Sequence, residues 1–302
     1  MKTKIMDWWE RLHPTTQSLL NHLWLAIVNF SRHGTRQAAA LAYYAIFSIF
    51  PLFLLLVVAI SNLVNPALAS EQIGNGLRLF LPTGMVSPLQ NDVAAALNQA
   101  QSFGIVALAG LAWSALGLFS NLTSSLDLIF QVPASRSMWH QRLVALLMTL
   151  ILIVLVIASF ITSGVLNLIW AFLGSQPNVW MSLGRIFLPM GLDMVIFALL
   201  FRFVPARQVS WDAVWPAAIF GALGWELIKT VFGLYLGNLL TNYQIVYGSI
   251  AVGIALLLYA YLTASIFLLS AEICAQLNVW IYAHVHGSEE SRLPGGVAAQ
   301  QK

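Results

Sequence analysis

The sequence predicts an all-α, polytopic membrane protein with six transmembrane helices. Three observations point there. Charged residues are only 8% of the 302 residues and apolar residues 59%, whereas an average soluble domain is about 25% charged. Mean hydropathy is +0.80. The apolar residues also gather into runs long enough for the roughly 20 residues that cross a bilayer core. A soluble globule could not cover its surface with so few charges. That excludes ordinary cytosolic enzymes, disordered chains and small disulfide-stapled domains.

The elements follow in order. Residues 1–37 form a cytoplasmic N-terminal segment. Within it, residues 17–33 place Leu19, Leu20, Leu23, Trp24, Ile27 and Val28 on one stripe, with Asn21, His22 and Asn29 opposite. This pattern predicts an amphipathic helix lying in the membrane interface. The opening MKTKIMDWWERLHP lacks the apolar core and small-residue cleavage site of a signal peptide, so the first spanning helix is expected to direct insertion.

Residues 38–280 form the transmembrane domain. The spans are expected at about Ala38–Val64, Phe103–Leu126, Leu143–Leu168, Leu183–Val204, Val214–Leu239 and Tyr247–Ile273. They read as helices because backbone groups in lipid must be satisfied within the segment. Pro51 frees a carbonyl and predicts a kink in the first span. The first outer loop is long. Ser70 and Ser87 suit N-caps and Pro88 a first helical position, so short helices are expected at about 71–81 and 88–100. Residues 281–302 are polar and predict a disordered cytoplasmic tail.

Orientation follows from Lys and Arg. Lys2, Lys4, Arg11, Arg32 and Arg36 precede the first span. Arg136 and Arg142 lie between the second and third, Arg202 and Arg207 between the fourth and fifth, and Arg292 and Lys302 in the tail. The opposite side has only Arg78 and Arg185. Positive-inside logic puts both termini in the cytoplasm. The net charge of +3 reflects these loops, not a nucleic-acid footprint.

Ionisable residues inside spans are the unusual feature. Asp193 falls mid-way along the fourth span, and Glu226 and Lys229 mid-way along the fifth. Residues three apart share a helix face. A charge at the bilayer centre costs about 2.5–3.5 kcal/mol on translocon scales and is usually paired or functional. Two readings stand side by side: a substrate or ion path through Asp193, Glu226 and Lys229, or a structural ion pair locking two helices. Asn121 and Ser124, in the polar run Ser120–Ser125, are further candidates for the path, although small polar groups also join helices. Asp127, Arg185, Arg202 and Glu272 fall at predicted helix ends, where they can snorkel, cap or gate. Gly221, Gly224, Gly233 and Gly237 predict close packing of the fifth helix, with homo-oligomerisation through that face as one use of it.

Enzyme signatures are nearly absent. His284 and His286 form an HxH that no further ligand motif completes, and there is no P-loop, GxSxG or HExxH. The single Cys274 excludes an intrachain disulfide and a cysteine-based zinc cluster. No metal and no cofactor is expected.

The runs AAALAYYAIFSIFPLFLLLV, LPTG at 81–84, WSALGLFSNLTSSLDLIFQV at 113–132, RFVPARQVSWDAVWPAAIFGALGWELIKTVFGLYLGN at 202–238 and YQIVYGSIAVGIALLLYAYLTASIFLLSAEICAQLN at 243–278 together resemble the YihY/BrkB family of bacterial inner-membrane proteins. The resemblance covers about residues 25–280. Tyr259 stands where that family commonly has Trp, and Ser270 where Gly is usual before Ala271–Glu272. The resemblance implies six spans with cytoplasmic termini. Its members have carried the label ribonuclease BN, which this chain's residues do not support. The family name also invokes virulence, and some members are linked to envelope lipid export.

The expected function is therefore that of a permease or exporter of a lipid or an anionic envelope-related solute. The alternative is a noncatalytic membrane scaffold or assembly factor. The expected partners are the bilayer, such a lipid or small anion, and a second copy of the chain, with no nucleic acid.

Overall fold

A computed structural model of the chain describes residues 13–61, 100–132, 179–247 and 250–290. The described residues are helical, with no strand among them. Helix α1 spans Pro14–Asn29, a π-helical turn covers Phe30–Gly34, and α2 spans Thr35–Ser61. Then come α3 (Ala100–Ile129), α4 (Val179–Phe203), α5 (Trp211–Tyr247) and α6 (Ile250–Glu290). Helices α2 to α6 thus fall on the stretches expected for the first, second, fourth, fifth and sixth spans. The third expected span at 143–168 and the loop helix at 71–81 lie outside the described residues, as does the helix at 88–100 except for its last residue.

Two boundaries differ from expectation. Helix α6 continues to Glu290, so residues 281–290, assigned to a disordered tail, are helical; residues 291–302 lie outside the described residues. The apolar run in the sequence ends near Ile273, but nothing after it breaks a helix until Gly287, and the backbone simply continues. At the other end, α1 begins at Pro14, where a missing N–H costs nothing. It is joined to α2 by the π turn without a loop.

The expected stripe on α1 is divided by packing. Leu19 and Leu23 rest against the apolar core and Ala26 is fully buried. Trp24 and Ile27, from the same stripe, are exposed. The buried side faces α6, which packs mainly against α1, α2 and α5, with smaller contacts to the π turn, α3 and α4. Helices α2 and α3 pair, as do α4 and α5.

The outer surface of α5 is apolar. Trp211, Trp215, Ile219, Leu223, Leu227, Val231 and Leu234 are all exposed and follow one another at close to four-residue spacing. In water such a stripe would be an aggregation liability; in hydrocarbon it is solvated. Two stretches among the described residues are long and apolar enough to cross a membrane, Trp211–Leu236 and Gly253–His284. Only 28% of either is buried, which distinguishes them from core helices of a soluble protein. The inside carries the small residues. A Cβ added at Gly221 would come within 2.7 Å of Phe197 on α4 and 3.0 Å of Ser270 on α6, and one at Gly224 within 2.8 Å of Ile266 on α6. Gly221 and Gly224 therefore set the distance between α5 and its neighbours.

Candidate functional site

The ionisable residues of α4 and α5 converge. Lys229 donates to Glu226 Oε1 at 2.5 Å, one turn away on the same face. Both are half-buried. Asp193 on α4 is 5% exposed, and the charges of Lys229 and Glu226 both act on its carboxyl. Its Oδ2 has no hydrogen-bond partner among the described residues. Lys229 and Glu226 on α5 thus lie within electrostatic range of Asp193 on α4.

Helix α6 adds a group that sequence reasoning missed. Tyr259 is buried, shares a side-chain hydrogen bond with Thr263, and lies within electrostatic range of Asp193 and Glu226. Its position was noticed only as a departure from a common Trp. The available signal was the spacing: Tyr259 and Thr263 are four apart and so share one face of the helix. Around the charges lie aromatic rings. Phe197, one turn beyond Asp193 on α4, meets Trp225 at 5.9 Å and Phe267 at 5.5 Å between centroids. Trp225 Nε1 is buried and has no acceptor among the described residues.

The remaining candidates are elsewhere. Asn121 is half-buried and Ser124 exposed on α3, which packs against α2 and α6 rather than against α4. Along α2, α3 and α6, hydroxyls return to their own backbone. Ser48 donates to Tyr44 O, Thr123 to Phe119 O, Ser265 to Tyr261 O and Ser270 to Ile266 O, at 2.7–2.8 Å. A hydroxyl bonded to the carbonyl four residues back can face apolar neighbours without an outside partner.

Asp127 and Arg202 each bond the connection between α4 and α5. Helix α3 ends with Gln131 in the left-handed region (φ 52°), Val132 N–H on Asp127 O and Gln131 N–H on Leu128 O. This is a Schellman closure. The Asp127 carboxylate accepts the Ala206 N–H at 3.0 Å, while Arg207 donates to Phe130 O at 3.2 Å. Arg202 donates to Val209 O and sits 5.7 Å from the Trp211 ring centroid. From α6, Asn278 accepts the Ser210 N–H at 2.8 Å and faces Gln208 O at 3.5 Å. Asn278 was not singled out from the sequence; an amide in the apolar run AEICAQLN was the clue.

Glu272 corrects an expectation. It was placed at a helix end, but α6 continues well past it, and its side chain is 7% exposed and hydrogen-bonded to Asn29 of α1. It joins α6 to the residue just before the π turn instead of reaching for headgroups. Arg185 falls within α4. No group of three or more potential metal ligands occurs among the described residues.

Comparison with known proteins bears on the whole chain. The family described as Virulence factor BrkB matches residues 26–293. A ribonuclease-like protein of Bacillus subtilis, YfkH, is 26% identical over 82% of this chain and 93% of its own. A UPF0761 membrane protein of Pseudoalteromonas translucida is 30% identical over 84% of this chain and 85% of its own. Another, from Nitrosospira multiformis, is 29% identical over 84% of this chain, which spans 60% of that relative's length. No solved structure matches. With nearly the whole chain matched and relatives named as membrane proteins, the protein belongs to the BrkB family of membrane proteins.

Proposed function

We propose that the chain is a multi-pass permease or exporter of the bacterial inner membrane, with both termini cytoplasmic, moving a lipid or an anionic envelope-related solute. It is not read as an enzyme, and the ribonuclease-like name is that of the Bacillus relative. The observation that carries the proposal is the Asp193 carboxyl. It is buried among apolar helices, one oxygen lacks a partner among the described residues, and an ion pair lies beside it on the neighbouring helix. A purely structural charge is expected to have its polar atoms satisfied; an orphaned one marks a site that changes state or takes a ligand.

The test is translocation in proteoliposomes, following a labelled phospholipid and a small anion in parallel. Wild type is compared with Lys229→Met at equal insertion. Movement by wild type that the substitution abolishes supports the permease and places its path at this group. Movement that survives the substitution keeps the permease and removes the group from its path.

The second reading is a membrane scaffold or envelope assembly factor. The closed Lys229–Glu226 pair favours it, because that pair satisfies itself without a ligand. Absence of movement for either probe moves weight to this reading.

A further inference from the structure

The three intramembrane charges do not balance. Two carboxylates face one ammonium, and the ammonium is held on Glu226 at 2.5 Å. With all three ionised, the group carries one net negative charge, centred on the most buried member, Asp193. Among the described residues, the groups facing Asp193 are Glu226 and Lys229 from α5 and Tyr259 from α6. None of them adds a second positive charge. An unbalanced buried carboxylate is costly to keep ionised, because its desolvation is not repaid by a counter-charge.

Two kinds of ligand would relieve it, a proton or a metal cation. Hard cations ask for about six to eight oxygen ligands. Among the described residues, the side-chain oxygens facing Asp193 are those of Glu226, held by Lys229, and Tyr259, fewer than such a cation needs, and Phe197 one turn on packs against Trp225 and Phe267 at 5.5–5.9 Å. A proton needs one oxygen, and Asp193 Oδ2 has no hydrogen-bond partner among the described residues. The imbalance also bears on an anionic solute, which the fully ionised group would repel. A proton on Asp193 leaves Lys229 and Glu226 neutral as a pair and removes that repulsion.

We propose that Asp193 is a proton-binding site that couples transport to the proton gradient, taking up one proton from one side of the membrane and releasing it to the other. The step is a protonation of one carboxylate oxygen with no other bond made or broken. It rests on the permease reading for its role in transport, although proton binding itself can be read without any transported substrate.

The test is infrared difference spectroscopy on the full-length protein in liposomes, cycled between acid and alkaline buffer. A carboxylic-acid C=O band should appear and vanish reversibly, be lost in Asp193→Asn, and persist in Glu226→Gln. Asn matches a protonated Asp in shape, and Asp193→Glu serves if Asn fails to fold: its band should remain at a shifted frequency. In parallel, labelled phospholipid and anion movement is measured with and without a pH gradient. An Asp193-dependent band together with gradient-stimulated movement that Asp193→Asn loses bears the proposal out. Movement that ignores both the gradient and Asp193→Asn, or a wild type with no Asp193-dependent band, overturns it while leaving the permease standing. A band without movement of either probe keeps the proton site and counts against the permease. Stimulation by sodium at constant pH, with no Asp193-dependent band, replaces the proton by a metal cation.

Discussion

Asn278, in the interior of α6, accepts the backbone N–H of Ser210 at 2.8 Å across 68 residues of sequence. The amide is 1% exposed. Its neighbours on α6, Cys274, Ala275 and Leu277, are buried as well. One buried side chain thus holds the start of α5 in place, and the Asp127–Ala206 and Arg207–Phe130 bonds hold the same hairpin from α3.

Replacing Asn278 with Leu keeps the volume but leaves the Ser210 N–H without an acceptor. An unsatisfied buried donor costs about 1–3 kcal/mol. Thermal unfolding in detergent should show that loss, and limited proteolysis should find the 204–210 connection newly sensitive. Unchanged unfolding would mean the clamp carries no stability.

The Lys229–Glu226 pair is tested by a double-mutant cycle with Glu226→Gln and Lys229→Met. Residues in one ion pair usually show an interaction energy of about 0.5–3 kcal/mol. Because both side chains are half-buried, a value toward the lower end is expected. A coupling of zero would show that the pair is not made in the folded protein.

Helix spacing is tested at Gly224. In Gly224→Ala the new Cβ meets Ile266 Cγ2 at 2.8 Å. That methyl sits on a β-branched carbon with little rotamer freedom in a helix, so α5 and α6 must separate. The expected cost is about 1–3 kcal/mol. Adding Ile266→Ala should recover part of it, and a lack of recovery would trace the loss to something other than this contact.

Orientation is tested with a single new thiol. Cys274 is fully buried, so a membrane-impermeant maleimide should leave wild type unlabelled. Gln208→Cys, on the exposed α4–α5 connection, should be labelled in inside-out vesicles and not in spheroplasts. The reverse pattern would invert the topology drawn from the Lys and Arg distribution.

The amino-acid sequence by itself determined the class of this protein. With 8% charged residues no soluble fold is open to it, and apolar runs of helical length leave only helices, because lipid offers the backbone no partners. The positions of α2 to α6 followed from those runs, and the three ionisable residues stood out because nothing else near them is charged. Spacing alone put Glu226 and Lys229 on one face, since that relation is local to one helix.

Tertiary structure decided what touches what. The α1 stripe reads as one apolar face, but α6 covers Leu19 and Leu23 and leaves Trp24 and Ile27 outside. Glu272 looks like a helix-end charge from hydropathy and is instead buried against Asn29, because a helix stops where its backbone bonding stops and not where its side chains become polar. Tyr259, Thr263 and Asn278 are unremarkable in a linear reading; they matter because α6 crosses beside both ends of the α4–α5 hairpin. Periodicity records the face a residue occupies, and only packing determines which other face it meets.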